Sequence, residues 1–161
     1  MFPLVSSRYE VYYNKHNLKG INYHSMNPSL KKIMLAVLAM ICGYAVMVIA
    51  ITLVQEGIFG GVGFIKSSKT VLFMAGIGTF ASAVLGGLTA SFIFRKPGYT
   101  PHFLMCILLA LETTYLITNG ITKDPVWFDL LASFSLLVGI IAGWFLYRKY
   151  ILGRKTIVSA N

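Results

Sequence analysis

The chain has 161 residues, 57% of them hydrophobic and 12% charged, with a mean hydropathy of +0.73. Soluble domains carry about 25% charged residues, so half of the usual water-facing surface is missing, and a bilayer is the solvent that removes the need for it. The net charge of +9 lies beside apolar runs, which sets nucleic acid aside and points to membrane topology and anionic lipid headgroups as the partners of those cations.

Residues 1–27 read as a polar, tyrosine-rich cytosolic arm. Asn27-Pro28 then opens a helix, with Asn at the N-cap and Pro at the first helical position. The first span is expected over about 33–54, with Gly43 and Tyr44 near its middle and Gln55-Glu56 at its end. This apolar run begins too late and is too long for a signal peptide. The loop EGIFGGVGFIKSSK mixes four glycines with Ile, Phe and Val, so an interfacial or partly re-entrant turn is expected. It lacks the GK[ST] of a phosphate-binding loop. Ser67 or Ser68 is the expected cap of the next helix.

The second span, about 70–94, is expected at the centre of the bundle. Gly78, Ser82, Gly86 and Ala90 recur every four residues down one face, and Ala75, Thr79, Ala83, Gly87 and Ser91 form a parallel row. Small residues at this spacing let helix backbones approach closely, which is how membrane helices pack. Arg95-Lys96-Pro97-Gly98-Tyr99 turns the chain back. Thr100-Pro101 repeats the cap-and-proline signature before a third span at about 102–118, which is short and polar and contains Glu112, Thr113, Thr114, Tyr115 and Thr118. Asn119-Gly120 stops it. Asp124-Pro125 starts the fourth span, about 126–147, with Trp127 at the interface and Asp129 in the first turn, against the helix dipole. Residues 150–161 form a basic cytosolic tail, leaving 28–149 as the transmembrane domain.

The expected fold is therefore all-α: four transmembrane helices in two antiparallel hairpins. Ser135, Gly139 and Gly143 before Arg148-Lys149 echo Ser82, Gly86 and Ala90 before Arg95-Lys96, as a tandem hairpin would. Orientation follows from charge. With both termini inside, eleven Lys and Arg residues lie in cytosolic segments, whereas the outer loops hold only Lys66, Lys69 and Lys123. That is a strong positive-inside bias.

Chemistry is sparse. Cys42 and Cys106 fall inside apolar runs without a ligand set or neighbouring cation, so both read as small buried hydrophobes. No metal, cofactor or catalytic motif is present in the sequence, and no enzymatic activity is expected. Glu112 is the exception among the spans. About ten residues of helix put it roughly 15 Å from the cytosolic end, near midplane. Tyr44, Thr79, Ser82 and Ser135 fall at a similar depth, with Tyr115 on the face of Glu112, so these six form the expected intramembrane polar cluster. An ionised carboxylate is costly at that depth, and a neutral acid bonded to hydroxyls is expected. Gly78, Gly86, Gly87, Ala90, Gly139 and Gly143 are the expected helix-packing positions.

Gly43-Tyr44, Gly86-Gly87-Leu88-Thr89-Ala90 before Arg95 and Pro97, Pro125 with Trp127, and Gly139 with Gly143 together give residues 31–149 a resemblance. The chain resembles a loose group of small uncharacterised bacterial four-span integral membrane proteins. The resemblance implies a bacterial cytoplasmic (inner) membrane location and no particular activity; the tyrosine-rich arm and Glu112 are not features of that group. Two roles follow. The first is a non-catalytic accessory or scaffold subunit that packs against itself or a larger membrane complex. The alternative is a small oligomeric proton- or cation-coupled transporter or channel that uses Glu112. They differ in whether Glu112 faces a polar cavity or a packed helix interface.

Overall fold

The computed structural model describes residues 27–95, 98–121 and 124–152, so the expected arm and most of the basic tail lie outside the described residues. The chain divides into two units, 1–32 and 33–161. Of the first, residues 27–32 are described. There the Asn27 side chain accepts from the Ser29 amide at 3.1 Å and its carbonyl from the Lys31 amide at 3.1 Å, which starts α1.

Four helices make up the rest, and no strand occurs among the described residues. They are α1 (Pro28–Thr52), α2 (Lys69–Phe94), α3 (Thr100–Thr118) and α4 (Val126–Leu146). Each is long and apolar enough to cross a bilayer. This is the architecture of a multi-pass membrane protein.

Two helices run past their expected ends. α1 continues through Leu53–Ile58 as a π-helical segment, so Gln55 and Glu56 extend the helix where the sequence reading ended it. α4 likewise continues through Tyr147–Leu152. At Ser68 the N-cap is as expected, its hydroxyl accepting from the Val71 amide at 3.4 Å, while Ser67 accepts from the Gly63 amide. The two later caps differ from the sequence reading. Thr100 is the first residue of α3 and Tyr99 its N-cap; Pro125 is the N-cap of α4, without a side-chain bond. Asp124 has another use, described below.

The small-residue rows set the packing. A Cβ on Gly43 would lie 2.8 Å from the Gly86 carbonyl, and one on Gly86 would lie 2.8 Å from the Gly43 carbonyl. The two glycines therefore face each other where α1 crosses α2. On the other side of α2, a Cβ on Gly139 would meet Ala83 Cβ at 2.7 Å, and one on Gly143 would meet the Val84 carbonyl at 2.5 Å. Gly87 would collide with the Ile140 carbonyl. Backbone touches backbone on both flanks of α2. Such contact recovers dispersion energy that large side chains would forfeit. Met47, Ala83, Ala90, Met105, Leu109 and Ile140 fill the core around these crossings.

Candidate functional site

Gly86, Gly87, Gly139 and Gly143 close the bundle over the half that carries Phe94 and Met105. Toward the opposite end, which carries the 59–68 loop, the helices border a half-open cavity of about 930 Å³. Its floor holds Tyr44, Leu109, Glu112, Thr79 and Ser135; its mouth holds Phe64, Lys69, Asp124, Trp127 and Asp129.

Glu112 lies in α3, twelve residues or about 18 Å beyond Thr100 and six or about 9 Å before Thr118. Tyr44 of α1 donates its hydroxyl hydrogen bond to the Glu112 carboxylate. The pair bridges two helices at the floor of the cavity, and the Glu112 side chain is exposed rather than packed between helices. Above it, Gln55 Nε2 donates to Thr79 Oγ1 at 3.3 Å, which ties the π-helical extension of α1 to α2. Thr113 and Ser133 join α3 to α4 through their hydroxyls, and Thr113 also donates to the Leu109 carbonyl at 2.9 Å. The walls between these groups are mostly apolar.

The mouth is built by the loop. The Asp124 carboxylate accepts from the Phe64 amide at 3.1 Å, fixing the tip of the 59–68 loop to the start of α4. The Phe64 ring then packs edge-on against Trp127 at 5.2 Å and against Phe128 at 5.4 Å. Gly60 and Gly61 adopt positive φ of 64° and 92°, which lets the chain leave α1 and return over the mouth. The loop folds onto the bundle rather than extending away from it.

The six expected polar residues are distributed as follows. Tyr44 and Glu112 are bonded to each other, and Thr79 and Ser135 line the same cavity. Ser82 is buried and donates to the Gly78 carbonyl at 2.8 Å, within its own helix and off the cavity wall. Tyr115 is 61% exposed on α3 and also lies off the wall. Of the packing positions, Gly86, Gly87, Gly139, Gly143 and Ala90 lie at the crossings already described, and a Cβ on Gly78 would meet Val54 Cγ1 at 2.6 Å. Cys42 and Cys106 are half-buried and not paired with each other.

Sequence reasoning missed one polar centre altogether. His102, 4% exposed, sits beside Ser91 near the opposite end of the bundle. Its Nε2 lies 2.9 Å from both the Ser91 hydroxyl and the Gly87 carbonyl, and Ser91 Oγ itself donates to that carbonyl at 2.9 Å. His102 Nδ1 is buried without a hydrogen-bond partner. The arrangement ties α2 to α3 at a position where the sequence shows only a histidine after a proline.

Among the described residues no group of three or more His, Cys, Asp or Glu side chains could hold a metal ion. No family model, curated protein or solved structure matches the chain. The functional reading therefore rests on the cavity and on the carboxylate at its floor.

Proposed function

We propose that the chain is a small transporter subunit of the bacterial cytoplasmic membrane, in which Glu112 is the proton- or cation-handling group of the central cavity. One observation carries this reading: the Glu112 side chain lines a cavity of about 930 Å³, where Tyr44 holds it by a hydrogen bond from α1. An intramembrane carboxylate on a cavity is by default a functional group, since its desolvation is costly unless the site uses it. The tightly packed glycine crossings lie between the cavity and the other end of the bundle, so passage requires either a shift of the helices or a neighbouring copy in a homo-oligomer.

Both termini are placed in the cytosol, on the strength of the positive-inside bias in the sequence. The cavity mouth then faces outward, and Arg148 and Lys149 lie at the level of anionic headgroups.

The second reading is the accessory or scaffold subunit. Broad apolar faces favour it, for example Leu38, Ile41 and Leu111, all more than half exposed. Lipid covers such faces as readily as a partner helix does. Against it, the glycine rows that suit a docking surface are already occupied inside the bundle by α1, α2 and α4.

Reconstituted vesicles separate the two. Under the transport reading, an imposed pH or cation gradient drives flux through the wild type, and Glu112→Gln abolishes it while remaining folded. Absence of flux in both proteins, with the wild type monodisperse, would leave the scaffold reading in place.

A further inference from the structure

The cavity floor carries the opposite charge type to the one that dominates the chain. The sequence holds fourteen Lys and Arg residues against five Asp and Glu. Yet the charged group at the cavity floor is an acid, Glu112, and the cation that lines the cavity among the described residues, Lys69, lies at the first residue of α2, at the mouth. Beside low-dielectric walls a charge acts over longer distances than at a water-exposed surface, and an acid at the floor of a cleft attracts the opposite ion. The floor favours a cation.

An inorganic cation fits poorly. Hard divalent ions need several oxygens converging at one point. Here Glu112 is at the floor, Asp124 and Asp129 are at the mouth, and no three acidic, His or Cys side chains converge among the described residues. The intervening surface is Met47, Ile51, Leu72, Phe80, Leu109 and Leu136. That surface suits a carbon skeleton. The volume lies at the upper end of the 300–1,000 Å³ or so that drug-sized ligands occupy. Phe64, Trp127 and Phe128 add aromatic rings at the entrance, where a cation is attracted to a ring face.

We infer that the occupant of the cavity is an organic cation with an apolar body, which binds with release of the Glu112 proton, its charge against the carboxylate so formed and its skeleton against the apolar wall. This rests on the reading of the same cavity as a transport site, and it names the class of substrate. Tyr44 then serves as a positioning residue that holds the carboxylate at the floor.

The test uses the full chain in nanodiscs of neutral lipid, with tetraphenylphosphonium as the probe and tetraphenylborate as its counterpart of like shape and opposite charge. Partition into empty nanodiscs is subtracted. The inference requires saturable phosphonium binding to the wild type, with the borate bound at least tenfold more weakly. Glu112→Gln, which keeps the shape of the side chain, should weaken phosphonium binding at least tenfold. Absence of saturable phosphonium binding, borate binding of equal strength, or an unchanged affinity in Glu112→Gln would each overturn it. The comparison of the two ions on the wild type does not depend on any variant folding. Phosphonium binding without flux in vesicles would retain the ligand class and remove the transport reading; proton flux without phosphonium binding would do the reverse.

Discussion

The Tyr44 hydroxyl and the Glu112 carboxylate, 68 positions apart in the chain, are hydrogen-bonded across α1 and α3. Membrane hydrogen bonds of this kind average about 0.6 kcal/mol and reach about 1.7 kcal/mol in double-mutant cycles. Tyr44→Phe and Glu112→Ala should therefore each destabilise the protein, and together by less than their sum, with a coupling of about that size. Glu112→Gln should lose less than Glu112→Ala, because the amide keeps an acceptor for the Tyr44 hydroxyl. Unfolding in mixed micelles measures the wild type and the four variants. Strict additivity would mean that the two side chains do not interact.

The glycine crossings predict a position-specific penalty. At Gly87 and Gly139 an added Cβ would meet the backbone carbonyl of Ile140 and the Cβ of Ala83. Overpacking of this kind typically costs about 1–3 kcal/mol, and more where backbone must move. Gly87→Leu and Gly139→Leu should lower the yield of monodisperse protein sharply. Gly76→Ala should be tolerated, since nothing lies within 4 Å of the new methyl group. Phe73→Leu, at a position 67% exposed, should be tolerated as well. Size-exclusion profiles and melting temperatures decide the matter.

Asp124 predicts the behaviour of the loop. Its carboxylate holds the Phe64 amide, and hydrogen bonds to charged groups contribute about 1.5–3 kcal/mol when shielded and less when partly exposed, as this one is. Asp124→Ala should speed amide hydrogen exchange at Phe64 and its neighbours. Asp124→Asn retains an oxygen acceptor and should change that exchange much less. Uniform exchange across the three proteins would mean that the loop is held by its aromatic contacts alone.

Three of the spans were legible as long apolar runs and the shorter, more polar third by its apolar half before Glu112, and the small-residue rows because their period of four marks one helix face. The caps at α3 and α4 were not. Thr100-Pro101 and Asp124-Pro125 have the right residue types, but Asp124 bonds to a loop 60 positions away, a tertiary partner that no local pattern announces. Glu112 was legible as an acid inside a span, and Tyr44 by its matching depth. Depth alone gives no azimuth, however. Ser82 matches the depth but bonds within its own helix, and Tyr115 is exposed and lies off the cavity wall. Gln55 and His102 were missed because helix ends read as interfacial in sequence, whereas packing carries one onto the cavity and buries the other.

The proposed orientation predicts sidedness. In a background lacking Cys42 and Cys106, a cysteine replacing Lys66 should react with an impermeant maleimide in intact cells. A cysteine replacing Ser159 should react only after permeabilisation. The reverse pattern would place both termini outside and the cavity mouth in the cytosol.

The central claim is that the Glu112 side chain stands in a cavity open toward the 59–68 loop. The most direct measurement is the reactivity of Glu112→Cys, in the same cysteine-free background, toward a small water-soluble methanethiosulfonate. A cysteine at Ile140, which is fully buried beside Gly87, provides the reference for a packed interface. The account predicts that Glu112→Cys is modified at least tenfold faster than Ile140→Cys, and that a preceding treatment with bulky reagent at a Trp127→Cys mouth position slows it. Equal protection of Glu112→Cys and Ile140→Cys would mean that position 112 is sealed in a helix interface, and would contradict the claim.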